Sequence, residues 1–131
     1  MGWEPGHRPR VVLVDDHPPV LAALGRILRE YCDVIASVSG GCEAIEAVSR
    51  LRPDVLLTDL MMSDMDGLEV CRRVKRLMPE TEVIIISASD DPAVRAAALR
   101  DGASAFISKH LVAETLGRTI ERVFAASQRP G

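Results

Sequence analysis

Val83-Ile84-Ile85-Ile86 sets four β-branched residues side by side, and no other stretch narrows the fold as far. Branched side chains fit a pleated surface, and a run without polar alternation reads as a strand buried on both faces. Val11-Val12-Leu13-Val14, Val55-Leu56-Leu57 and Ala105-Phe106-Ile107 repeat the pattern, and Val34-Ile35, within Asp33 to Ser37, is a shorter version of it. Between these runs the apolar residues change to helical spacing. Val20, Leu21, Leu24, Ile27 and Leu28 mark a first helix, and Ala44, Ile45, Val48 and Leu51 a second. Leu68, Cys71, Val74 and Leu77-Met78 mark a third, and Val112, Leu116, Ile120 and Val123-Phe124 the last, with Leu111 near its start. A fourth helix, Ala93 to Arg100, has mostly alanine on its apolar face, with Val94 and Leu99. It buries little area and should be weakly held. Five strands alternating with five helices predict an α/β fold, a parallel sheet with helices on both faces.

The punctuation agrees with this division. Pro18-Pro19 suits a first helical turn, Gly40-Gly41 breaks the chain, and Pro53 and Pro79 stop helices. Asp66-Gly67 and Asp101-Gly102 are turn signals. The 131 residues make one domain. We place it at residues 10–126, after a loose leader over residues 1–9 and before a polar tail, or the start of a linker, over residues 127–131. A net charge of −3 lends no support to nucleic-acid binding by this segment. No apolar run approaches the ~20 residues of a membrane span, and the first ten residues carry no hydrophobic core of a secretory signal. Cys32, Cys42 and Cys71 show no C-x-x-C spacing, and His7, His17 and His110 are scattered. No zinc constellation is expected, and the cytoplasm is the expected location.

Chemistry collects where the strands end. The first runs into Asp15-Asp16, the third into Asp59, the fourth into Ser87 and the fifth into Lys109. In a parallel sheet these ends lie along one edge, where open α/β sheets bind ligands. Three carboxylates in one pocket repel one another and raise their pKa values unless a cation intervenes. The ligands on offer are oxygens, so a hard cation such as Mg²⁺ suits them. A lysine there could balance charge or hold a phosphoryl group, and a serine hydroxyl could donate to it. Each residue alone has a plainer reading: Asp15-Asp16 as helix caps, Asp59 as a loop cap, Ser87 and Lys109 as strand-end polar groups. The set is harder to dismiss than its members.

The acidic pair, the stretch Asp59-Leu60-Met61-Met62-Ser63-Asp64-Met65-Asp66-Gly67, Ser87-Ala88, and Gly102 to Lys109 occur in an order that resembles the receiver domain of bacterial two-component response regulators. The resemblance covers Arg10 to about Ala126. It implies a flavodoxin-like (βα)5 three-layer sandwich with strand order 2-1-3-4-5, an order the receiver fold exemplifies. It also implies that Asp59 accepts a phosphoryl group from a sensor histidine kinase. Mg²⁺ would be bound by Asp16, Asp59 and the Met61 backbone carbonyl, with Asp15 acting through water. Lys109 would pair with the phosphoryl oxygens, Ser87 would turn to bond them, and Phe106 would turn inward behind it. The surface of the fourth helix, fifth strand and fifth helix would change, and with it partner binding or homodimer formation.

Ser63 stands where the family often has proline, Phe106 where it often has tyrosine, and His110 where a cis-proline often follows the lysine. Asp-Asp-His-Pro after the first strand resembles regulators with a LuxR-type DNA-binding output, which would make the chain part of a transcription regulator. A free-standing receiver acting by protein contact is the alternative. An aspartyl-phosphate phosphatase of the haloacid dehalogenase type would need a second aspartate where Met61 stands, and a flavodoxin-like cofactor binder would need more than four aromatic residues and no acidic pair at its phosphate loop. A pseudo-receiver working only as an interaction module is opposed by Asp16, Asp59 and Lys109.

Overall fold

The computed structural model describes residues 8–128. The five strands are β1 (Arg10–Val14), β2 (Asp33–Val38), β3 (Val55–Asp59), β4 (Glu82–Ser87) and β5 (Ala105–Ser108). The helices that follow them are α1 (Pro18–Leu28), α2 (Gly41–Leu51), α3 (Gly67–Leu77), α4 (Pro92–Arg100) and α5 (Val112–Ser127). All strand pairings are parallel, and the sheet order is β2-β1-β3-β4-β5. This is the (βα)5 three-layer sandwich expected from the sequence.

The unbroken apolar runs split their side chains between two layers, because successive residues of a strand point to opposite faces. Val11, Leu13, Val55, Leu57, Ile84, Ile86 and Ile107 pack against Leu24 and Leu28 of α1 and Leu116 and Ile120 of α5. Val12, Val14, Leu56, Val83, Ile85 and Phe106 pack against α2, α3 and Ala98 of α4. Each fully buried Leu, Ile or Val contributes about 1.5–3 kcal/mol, so these two layers hold the sheet. The edge strand β2 is only half-buried, which is why its sequence signal is the weakest.

The fourth helix is held as loosely as its alanines predicted, since Ala98 is its one buried residue. Leu99, read from sequence as part of its apolar face, is instead 50% exposed. Arg95 supplies a different anchor. Its guanidinium donates to the Phe106 carbonyl at 3.1 Å and lies 5.0 Å from the centre of that ring.

The leader falls outside the described residues up to His7, as does the tail from Arg129. Within the described chain Pro9 is buried, and the Arg8 guanidinium donates to Asp33 Oδ1 at 2.9 Å and to the carbonyls of Arg29 and Cys32. After Lys109 a short 3-10 turn, Lys109–Leu111, leads into α5 where the family often uses proline. Cys32 and Cys71 are buried, and desolvation pushes both thiols up to about 11, while Cys42 is exposed. No helix among the described residues is long and apolar enough to cross a membrane.

Candidate functional site

β1, β3 and β5 deliver their polar ends to one place. Asp15, Asp16, His17 and Asp59 each offer a ligand atom, and these atoms lie within 4.8 Å of one another. Lys109, at the end of β5, sets its Nζ 3.3 Å from Asp59 Oδ2. Asp59 itself is buried, its side chain only 4% exposed. Burial raises its pKa, Lys109 opposes that rise, and the neighbouring Asp15 carboxylate adds to it. The lysine thus offsets part of the cost of burying the ionised form.

Ser87 is buried at the end of β4, the strand next to β3, where its Oγ accepts a hydrogen bond from the Ser89 N–H at 2.9 Å. Its strand neighbour Ser108 bonds the Asp90 carboxylate. Phe106 lies further back on β5, 5% exposed and already packed into the α2–α3–α4 layer. Met61 is 69% exposed. On one side Asp15, Asp59 and Lys109 line a cavity of about 350 Å³ whose other walls are mostly apolar residues of α1, the strands and the start of α5, among them Val20, Leu24, Leu57 and Val112.

Several contacts here were not foreseen from the sequence. The His17 N–H donates to Asp15 Oδ1 at 2.8 Å, and its ring Nδ1 lies 3.0 Å from the same oxygen and 3.0 Å from Asp16 Oδ1. The strand ends alone offer oxygens, whereas the fold adds this nitrogen to the cluster. Carboxylate oxygens only accept, so in the tautomer that bonds Asp15 the proton is on Nδ1 and Nε2 keeps its lone pair. The three carboxylates of the cluster supply its oxygens, and His17, the exposed member, its one nitrogen donor. Asp16 Oδ1 is buried and accepts no hydrogen bond, although His17 Nδ1 lies 3.0 Å from it. A buried carboxylate oxygen left unpaired among other carboxylates is costly unless a cation meets it. The donor set and that orphaned oxygen both fit a hard divalent ion.

The loop after Asp59 is fixed from two sides. The Gly67 N–H donates to the Leu60 carbonyl at 2.7 Å, and a Cβ at Gly67 would come within 2.6 Å of the Asp59 carbonyl oxygen. Only glycine lets α3 start that close to the strand end. On the other side Asp64 caps α2, accepting from the N–H groups of Cys42 at 2.9 Å and Gly41 at 3.0 Å, and also from Met65. Those bonds, Cys42 foremost, hold the Asp64 carboxyl down at about 2. Asp64→Ala is expected to lower stability by about 1 kcal/mol, the usual cost of a lost cap. Because the folded pKa lies below the unfolded one, this contribution is complete above the ordinary carboxylate range, about pH 4. It fades as pH falls through about 2. Urea midpoints of both proteins at neutral and acid pH check this. A variant as stable as wild type at neutral pH would remove the cap from the account.

Fold and site together define a doubly wound α/β domain whose carboxyl edge carries an acidic cluster with a lysine beside it. The chain belongs to the response regulator receiver domain family, whose model matches residues 11–121. It is 32% identical over 116 residues to the transcriptional regulatory protein LnrK of Bacillus subtilis, covering 87% of this chain and 53% of that protein. It is 36% identical over 107 residues to the response regulator MprA of Mycobacterium leprae, covering 82% of this chain and 47% of that one. The chain thus spans about half the length of the curated relatives it matches. Among solved structures, the signal receiver domain of a NarL response regulator from Mycobacterium tuberculosis superimposes with a TM-score of 0.80 at 30% identity, over 95% of this chain and 99% of that one.

Proposed function

We propose that this receiver is a phosphorylation-dependent switch in which Asp59 takes a phosphoryl group from a phosphohistidine of a sensor histidine kinase. The observation that carries the reading is the buried Asp59 carboxylate, paired with Lys109 at 3.3 Å inside an acidic cluster that also holds an unpartnered oxygen of Asp16. An Asp59 oxygen attacks phosphorus as the phosphorus–nitrogen bond breaks, and the electron pair leaves on the donor imidazole. Lys109 is placed to meet the phosphoryl oxygens once they sit on Asp59. Asp16, Asp59 and the Met61 backbone carbonyl would hold Mg²⁺, with Asp15 acting through water. Bound there, Mg²⁺ supplies positive charge against that which builds on the transferring group.

Ser87 leaves its Ser89 contact to bond the phosphoryl group in this reading, and the change reaches α4 through β5. The support is the light packing of α4, tied to β5 by Arg95. The altered surface of α4, β5 and α5 controls a partner or a homodimer, at a cytoplasmic site of action. Relatives about twice as long, one of them by name a transcriptional regulatory protein, favour a DNA-binding output in the parent chain. A free-standing receiver acting by protein contact is the alternative. In either case this segment is regulatory, promoting only its own phosphorylation and dephosphorylation.

Intact mass after incubation with Mg²⁺ and a small phosphodonor such as acetyl phosphate or phosphoramidate tests this. One phosphoryl group should be gained, labile to hydroxylamine as an acyl phosphate is, and chelation should prevent the gain. A phosphoryl group stable to hydroxylamine, or one gained equally in chelator, would overturn the assignment.

A further inference from the structure

The geometry points to Ser63 as the residue that positions Asp16 for the cation, an inference that rests on the reading that Asp16 holds Mg²⁺. The Ser63 hydroxyl donates to Asp16 Oδ2 at 3.0 Å, joining residues 47 apart in sequence. The other oxygen of the same carboxylate, Oδ1, is the buried atom without a hydrogen bond. A carboxylate on a short side chain turns readily about its two torsions. Fixing one oxygen by a hydroxyl sets the plane of the group and decides where the second oxygen points. Asp15 is arranged differently, with its Oδ1 already taken by the backbone and ring of His17. Asp16 Oδ1 lies 3.0 Å from the His17 ring nitrogen but accepts no hydrogen bond, and Ser63, bonded to Oδ2, sets where it points.

Ser63 is itself held in place. Its neighbour Asp64 ties the loop to the start of α2, and a Cβ at Gly41 would meet Met65 Cγ at 2.3 Å, so loop and helix are in close contact. Outer-shell partners that orient a metal-binding carboxylate commonly change affinity by about 10–100-fold when removed. Ser63 is exposed, so water competes for the same oxygen, and the lower end of that range is expected.

The experiment is a calorimetric titration of Mg²⁺ into wild type, Ser63→Ala and Ser63→Thr, with thermal midpoints recorded in chelator. Ser63→Ala should bind about tenfold more weakly, and Ser63→Thr, which keeps the hydroxyl, should stay within about twofold of wild type. The three midpoints without metal should agree, since the contact is at the surface. Wild-type affinity in Ser63→Ala, or equal weakening in Ser63→Thr, would overturn the positioning role while leaving Asp16 as a ligand. If wild type shows no saturable Mg²⁺ site, the metal reading falls and this inference falls with it.

Discussion

Asp59→Asn is expected to lose the phosphoryl gain completely and, at neutral pH, to unfold at a higher temperature than wild type. The two effects share one cause. Asp59 is a carboxylate with 4% of its side chain exposed, and burial raises its pKa, opposed by Lys109 and reinforced by Asp15. A folded-state pKa above the unfolded one means that folding favours the protonated acid. The corresponding stability is complete below the unfolded value, about pH 4, and is lost as pH rises through the folded value. At neutral pH the wild type therefore keeps a charge that its surroundings disfavour. Asparagine has the same shape, keeps an acceptor oxygen for Lys109, and carries no charge. A single stabilising change commonly adds about 0.5–2 kcal/mol, which for a domain of this size is a rise of roughly 2–8 °C. Scanning calorimetry in chelator, at neutral pH and near pH 4, should show the gain in the first condition and little in the second. A lower midpoint at neutral pH would mean that the pair with Lys109 outweighs the cost of burial. A phosphoryl gain in the variant would move the acceptor elsewhere.

Lys109→Ala should slow phosphorylation by about 10²–10³-fold, the usual effect of removing one preorganised charge from developing anionic oxygens. The lysine sits at the start of a surface turn with 37% of its side chain exposed. Its ammonium lies 3.3 Å from Asp59 Oδ2, and without it the carboxylate loses the interaction that opposes desolvation. Mg²⁺ affinity should hold or tighten, because a cation no longer faces the incoming cation. Time-resolved intact mass together with Mg²⁺ titration separates the two. An unchanged rate would exclude Lys109 from the transfer. A reduced rate with equally weakened Mg²⁺ binding would make its role structural.

How far the sequence reaches can be seen residue by residue. Val83 to Ile86 and its counterparts announced strands because unbroken branched runs have few other solutions, and the parallel order follows from strand–helix alternation. Asp15, Asp16, Asp59, Ser87 and Lys109 stood out because each ends such a run, and a parallel sheet places all strand ends at one edge. Leu99 misled because helical spacing alone does not say which side of a lightly packed alanine helix meets the sheet, and Leu99 is half exposed.

The contacts of Ser63 with Asp16, of Asp64 with Gly41 and Cys42, and of His17 with both acidic neighbours left no periodic signal. Local patterning is a property of neighbours in sequence, and it carries the elements and the strand-end chemistry. Which oxygen of Asp16 is bonded and which is left bare depends on loops brought together across 47 residues. Side-chain direction at that range is decided only when the packed layers place α2, the loop after β3 and the end of β1 against one another.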